Sequence, residues 1–162
     1  MIYKPFDNAE IKRFMEVWQL MAKEHGLPGF YFVAFTFWPD TEGQAILDLG
    51  FDAVVSCRNN IDKIHNFRWF VRKAKSMLLH RPRLTSYKRL WPRLITQLER
   101  TDNRYIPVMM PNWDHTPRSG VNGDLFVGCT PKEFEKHCRD VLTAVIEKDN
   151  PLVFIKSWNE YS

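Results

Sequence analysis

Residues 30 to 37, Phe30-Tyr-Phe-Val-Ala-Phe-Thr-Phe37, are continuously apolar and aromatic. A run with no polar alternation suits a strand covered on both faces. Phe51-Asp-Ala-Val-Val-Ser56, Tyr105-Ile-Pro-Val-Met-Met110 and Pro151-Leu-Val-Phe-Ile-Lys-Ser157 are shorter runs of the same kind, and Ile2-Tyr3 reads as a stub of another. The last of them reads as a buried strand. Helical patterns lie between them. Strand–helix repeats with apolar strands imply an α/β fold, a parallel sheet with helices outside. Neither a GxGxxG nor a GxxxxGK[ST] pattern follows any strand, so nucleotide-binding folds lose their strongest support.

The helices read from spacing and caps. Asp7 or Asn8 is placed to cap a helix carrying Ile11, Phe14, Met15, Trp18 and Met21, and Gly26 with Pro28 stops it. Glu42–Leu49 is a short helical candidate closed by Gly50. From Arg58 to Leu84 the pattern is mixed, helical in places and loop-like in others. Ser86–Arg100 predicts a helix with Leu90, Leu94 and Leu98 on one face and a kink at Pro92. Ser119–Gly123 is a turn, and Asp124–Gly128 is expected to pair locally. Thr130, Pro131 and Glu133 form a helix start with Thr130 as cap, and the helix should run to about Lys148.

A chain of 162 residues with 44% hydrophobic residues and 12 Phe holds one domain with a real core. The formal charge of +4 is uneven, with eleven Lys and Arg between Arg68 and Arg104 against the two acids Glu99 and Asp102. This segment reads either as a solvated helical face or as a polyanion-binding surface. Cys57, Cys129 and Cys138 show no CxxC spacing, and their odd number argues against a disulfide framework. No apolar stretch is long enough to span a bilayer, and the N-terminus lacks the apolar core of a signal peptide. The default expectation is a cytoplasmic protein. No ligand triplet accompanies His137 and Cys138 at metal spacing, so neither a metal nor another cofactor is expected.

Two strand tips hold residues suited to chemistry. Pro111-Asn-Trp-Asp-His-Thr-Pro-Arg118 follows the third apolar run, and Trp158-Asn-Glu160 follows the last. Parallel strands bring both tips to one face. Indole rings stack on the C–H face of sugars, and Asp, Asn, Thr and Arg bind hydroxyls through directional hydrogen bonds. Trp113, Asp114, Thr116, Arg118, Trp158 and Asn159 are therefore candidate substrate-binding residues. Glu160 is a candidate acid or base. Plainer roles stay open: Asp114 as a turn cap at Thr116, Arg118 as its ion-pair partner, both Trp rings as rim packing, and Glu160 as an exposed end. His115, next to Asp114, reads either as a general base or, more plainly, as a surface residue.

The two tip motifs in this order resemble the WbsX family, bacterial proteins of polysaccharide biosynthesis related to glycoside hydrolase family 99. Trp18-Gln-Leu-Met-Ala-Lys-Glu-His-Gly-Leu-Pro-Gly-Phe-Tyr-Phe-Val33 and Gly50-Phe-Asp-Ala-Val-Val55 are similar to that family as well. The resemblance implies a (β/α)8 barrel of the TIM type, of which residues 1–162 would be a single partial domain, the C-terminal half. It implies a glycan or glycoconjugate of the bacterial cell surface, such as lipopolysaccharide O-antigen, as substrate. The reaction would be glycosyl transfer or retaining hydrolysis. Glu160 is similar to the residue that, in the family 99 hydrolases, assists attack by the sugar's own 2-hydroxyl. The family's second Glu, the acid/base, would fall beyond Ser162, so a truncated chain of low activity is expected. A half barrel has open edges, from which self-association is expected. The alternatives are a non-catalytic glycan-binding fragment and a polyanion-binding module using residues 68–104. Nucleic acid is not an expected partner.

Overall fold

In a computed structural model, the described residues are 2–3, 5–7, 10–56 and 67–157. Cys57, Asn8, Trp158, Asn159 and Glu160 lie outside them.

The chain opens with strand β1 (Ile2–Tyr3) and helix α1 (Ile11–Glu24), followed by β2 (Val33–Thr36), α2 (Pro39–Asp48) and β3 (Ala53–Ser56). Then come α3 (Phe67–Leu78), β4 (Arg83–Ser86), α4 (Tyr87–Leu90) and α5 (Gln97–Thr101). The last part comprises β5 (Tyr105–Ile106), β6 (Val108–Met109), α6 (Thr116–Ser119), β7 (Asp124–Val127), α7 (Pro131–Ile146) and β8 (Phe154–Ile155). All the strand pairings named here are parallel: β1 with β2, β2 with β3, β3 with β5, and β6 with β8.

β5 and β6 are one strand interrupted by Pro107, which has no N–H to give a ladder. Its carbonyl still accepts from Phe154 N at 3.2 Å. On one side Val54 and Val55 face Tyr105 and Ile106, and on the other Val108 and Met109 face Phe154 and Ile155. The order β1-β2-β3-β5/β6-β8 therefore follows the chain without reversal. That is the order of a barrel wall, whereas a doubly wound sheet reverses at a switch point. The protein is an α/β fold of parallel strand–helix repeats, as the alternation predicts.

Alternate strand residues feed two layers. Ala34, Val54 and Tyr105 pack with Ile11, Met15, Ile46 and Phe51 from the helix side. Val33, Phe35, Ala53, Val55, Ile106 and Val108 form the other cluster, with Phe154 against it. A third cluster joins Met109 to Val141 of α7. Close approach matters at Gly43 of α2, where a Cβ would lie 2.5 Å from the Tyr105 hydroxyl.

Several expectations are corrected. Helix α1 starts at Ile11 with Glu10 in the cap position and no side-chain cap bond; of the two caps expected, Asn8 lies outside the described residues and Asp7 belongs to the preceding 3₁₀ turn. The strand expected over Phe30–Phe37 is β2 alone. Phe30 is 38% and Tyr31 51% exposed, and the Phe30 backbone bonds the Gln19 side chain instead of a neighbouring strand. α2 begins earlier than expected because Pro39 takes the first helical turn.

The helix expected over Ser86–Arg100 is broken into α4, a 3₁₀ turn at Trp91–Arg93 and α5. Pro92 ends the first piece. Thr96 and Glu99 start the second with reciprocal bonds, Glu99 N to Thr96 Oγ1 at 3.1 Å and Thr96 N to Glu99 Oε2 at 2.7 Å. Leu90 and Leu94 then pack in one cluster and Leu98 in another, not on one face.

Asp124–Val127 does not pair only locally. It forms a parallel ladder with β4, Arg83 opposite Asp124 through Ser86 opposite Val127. The Arg83 Nε bonds Asp124 Oδ1 at 2.7 Å, fastening that ladder at its start. The final run is not a buried strand: Leu152 is 45% and Ile155 53% exposed. Within the described residues β8 pairs on one side only, with β6. Among the described residues no helix is long and apolar enough to cross a membrane.

Candidate glycan site at the strand tips

The strands end together on one face because they are parallel. β2 delivers Thr36, Phe37 and Trp38 there. The Thr36 hydroxyl donates to the Glu42 carboxylate and accepts from Trp38 N at 3.0 Å, tying the tip to the first turn of α2. β3 delivers Ser56, whose hydroxyl donates to buried Glu99 at 2.8 Å.

The tip of β6 carries the polar octapeptide. Met110 O accepts from the buried Tyr87 hydroxyl at 2.8 Å, and Met110 N donates to His137 Nε2 at 3.3 Å. Asn112 Oδ1 accepts from Trp113 N at 2.8 Å and from the Cys129 thiol at 3.1 Å. Trp113 O accepts from Phe126 N, and His115 N donates to Asp124 O, which lays the segment antiparallel on β7. Gly123 closes the arrangement: a Cβ there would meet Thr116 N at 2.9 Å and His115 backbone at 3.0 Å.

Trp113 is half-buried against the inner cluster and keeps one end at the surface. Its ring is stacked with His115, centroids 5.8 Å apart and planes 13° apart. The Lys156 ammonium lies 4.7 Å from the Trp113 ring centroid and 5.4 Å from that of Phe35. Phe35 in turn meets Phe37 edge-on at 5.1 Å. A row of aromatic rings with one cation among them thus crosses the tips of β2, β8 and β6.

Asp114 Oδ1 accepts from Thr116 N at 2.8 Å and from the Thr116 hydroxyl at 2.6 Å. This is the turn-capping role that the sequence leaves open for it. Arg118 sits exposed on α6. Trp113, Asp114 and Thr116 are therefore together, Arg118 follows on the next turn, and Trp158, Asn159 and Glu160 lie outside the described residues. Glu42, Glu99 and Asp114, the carboxylates placed at these tips, all hold hydroxyl or backbone partners.

Lys156, Phe35 and Phe37 are the participants that sequence reasoning missed. The available signal was a single Lys in an apolar strand, two residues on from inward-facing Phe154.

His137 is a core histidine. Burial among Tyr87, Trp91 and Phe134 pushes its pKa down to about 4, against a weaker upward pull from Asp140. A neutral ring is what its Nε2, accepting from Met110 N, requires. Burial also raises the Cys129 thiol to about 11, which makes it a poor nucleophile. Among the described residues no group of three or more His, Cys, Asp or Glu could hold a metal ion. In the basic segment, Arg83 pairs with Asp124, Arg100 with Asp140 and Arg104 with Asp102, so these three cations serve the fold.

No curated protein and no solved structure matches the chain. A family does: Glycosyltransferase WbsX, over residues 1–162. With parallel strand–helix repeats and an aromatic row at the strand tips, the chain belongs to the glycosyltransferase WbsX family, and so to the carbohydrate-active proteins.

Proposed function

We propose that this chain binds a bacterial cell-surface glycan across its strand tips and takes part in glycosyl transfer, or in retaining hydrolysis where water is the acceptor. The observation that carries the reading is the register of β6 and β8. Met109 lies opposite Ile155, so the segment leading to Trp113 and the segment leading to Trp158, Asn159 and Glu160 leave the sheet side by side. Trp113 is the stacking platform. Asp114, Thr116, Arg118, Trp158 and Asn159 orient hydroxyls or pack on the sugar. Glu160 is the base or charge stabiliser.

Chemistry supports this division of labour. Glu42, Glu99 and Asp114 hold hydroxyl and backbone N–H groups in place, which suits structure better than proton transfer. The role of base or charge stabiliser then falls to Glu160. Glycoside chemistry commonly uses two carboxylates, one protonated to activate the leaving oxygen. Residues 1–162 would form part of a (β/α)8 barrel, whose reaction centre sits at the C-terminal strand ends.

The test uses oligosaccharides released from bacterial surface polysaccharide. Binding is followed by calorimetry and products by mass spectrometry, for the native chain, Trp113→Ala and Glu160→Gln. The expected result is weakened binding in Trp113→Ala. Glu160→Gln should bind normally with turnover lost. Equal turnover in Glu160→Gln and the native chain would sink the catalytic role and leave a glycan-binding protein. No binding by the native chain would overturn the whole reading.

A further inference from the structure

A surface helix ordinarily points its apolar stripe at the core and its polar face at water. Among the described side chains of α3 the arrangement is the reverse. The buried one is Ser76, whose hydroxyl donates to Arg81 O at 2.6 Å and lies 3.0 Å from Val121 O. Through this side α3 packs on the 3₁₀ turn Gly120–Asn122. Val71, Ala74 and Leu78 follow at spacings of three and four on the side away from Ser76, with Met77 beside them. All four are exposed, Val71 to 49%, Met77 to 57% and Leu78 to 81%.

Charge sets this stripe apart from an ordinary exposed patch. α3 carries Arg68, Arg72, Lys73 and Lys75 and no acid. It lies in a stretch, Lys63 to Leu98, with ten Lys and Arg and no Asp or Glu. The neighbouring β4 and the Gly120–Asn122 turn bring no acid to it either. Lys75 is exposed next to the stripe, and Arg81 is exposed just past the end of the helix.

A continuous apolar stripe at the surface marks a place of interaction. A second copy of α3 laid on it would set four cations against four, which opposes self-pairing. A nucleic-acid backbone would take the cations but gives Val71, Met77 and Leu78 nothing to bury against. An anionic lipid surface satisfies both features at once, with phosphates for the cations and an acyl boundary for the stripe. We infer that α3 docks the protein on an anionic membrane, its Val71–Leu78 stripe entering the headgroup–acyl boundary and Lys75 and Arg81 meeting lipid phosphates. The helix lies on the bilayer and does not cross it. Its 12 residues reach about 18 Å, against a hydrocarbon core of about 30 Å. This inference is independent of the sugar chemistry at the strand tips.

The test is co-sedimentation with vesicles of equal parts phosphatidylglycerol and phosphatidylcholine, and with vesicles of phosphatidylcholine alone. The native chain should bind the anionic vesicles at least roughly tenfold more tightly, and less so as salt is raised. Leu78→Ser should weaken that binding roughly tenfold, and Lys75→Gln roughly fivefold. Both positions are exposed, so both variants should keep the native urea midpoint; should Leu78→Ser fail to fold, Met77→Ser takes its place. No binding to anionic vesicles, or binding that Leu78→Ser leaves unchanged, would overturn the proposal. Duplex DNA bound as tightly as the vesicles, and equally by Leu78→Ser, would overturn it in favour of a polyanion surface. A dimer of the native chain that Leu78→Ser dissociates, seen by analytical ultracentrifugation, would overturn it in favour of a second copy.

Discussion

The ammonium of Lys156, the residue after β8, lies 5.4 Å from the ring centroid of Phe35 on β2, although β3 and the β5/β6 strand run between them. Three strand spacings across a flat sheet come to about 14 Å. Side chains that span such a gap and still meet over their rings do so most readily on a concave face. The contact therefore marks the curvature of this sheet, on the side where Val33, Phe35, Val55, Ile106 and Val108 collect. The same curvature gathers the strand tips into a site.

His137 ties stability to pH. Its folded pKa of about 4 is below the ordinary value of 6.5, because burial disfavours the charged ring. The unfolded chain therefore binds the proton more tightly. The stability is fully present above about pH 6.5 and is lost as pH falls towards 4, by up to about 3 kcal/mol. His137→Gln offers an uncharged acceptor to Met110 N and should flatten this dependence. Urea denaturation at pH 7 and pH 4.5 tests it: parallel losses in both proteins would remove His137 from the explanation.

Asp114 is expected to be worth more to the turn than to charge. Asp114→Ala removes the acceptor for both Thr116 groups and should cost about 1 kcal/mol, within the usual range for a lost cap. Asp114→Asn keeps an acceptor oxygen and should lose less than half of that. Chemical denaturation midpoints would show the order, and an Asn variant as unstable as the Ala variant would argue for the charge instead.

Gly123 has backbone where a side chain would go. Gly123→Ala pushes a methyl group against Thr116 N and the His115 carbonyl, at 2.9 and 3.0 Å, and neither is a flexible side-chain end. A destabilisation of about 1–3 kcal/mol is expected, in line with overpacking elsewhere. Sugar affinity should fall too, because Trp113 and His115 belong to the displaced segment. A fully stable variant would show that the loop gives way freely.

Ser157 has φ +60°, a left-handed conformation at the end of β8. A β-branched residue resists this region strongly, and glycine enters it without penalty. Ser157→Val should lower stability by about 1–2 kcal/mol, while Ser157→Gly should be neutral or better. The two variants compared by urea denaturation decide it. Equal effects would mean that the turn relaxes.

The sequence was most legible where physics is local. Thr130 does cap α7, accepting from Glu133 N at 3.3 Å, with Pro131 in the first turn. The Glu133 carboxylate, however, turns to Trp91 and Lys136 and leaves the capping box half made. The true box, Thr96 with Glu99, was written in the sequence as T-x-x-E but hidden inside what looked like one long leucine-faced helix. Spacing of three and four cannot tell a continuous helix from two pieces when a proline and a cap fall in phase.

Apolar runs alternating with amphipathic stretches, read alone, determine that parallel strands must be covered by helices, since only that arrangement buries strands without a polar face. The Trp113–Arg118 and Trp158–Glu160 motifs are what point, in the reading proposed above, to the strand tips as the place for chemistry. Tertiary structure alone decided the rest. It paired β4 with β7 through residues 41 apart in the chain, and set Lys156 between Trp113 and Phe35. These outcomes depend on which distant groups the curved sheet brings within a few ångströms. Residue spacing along a chain carries no measure of that distance.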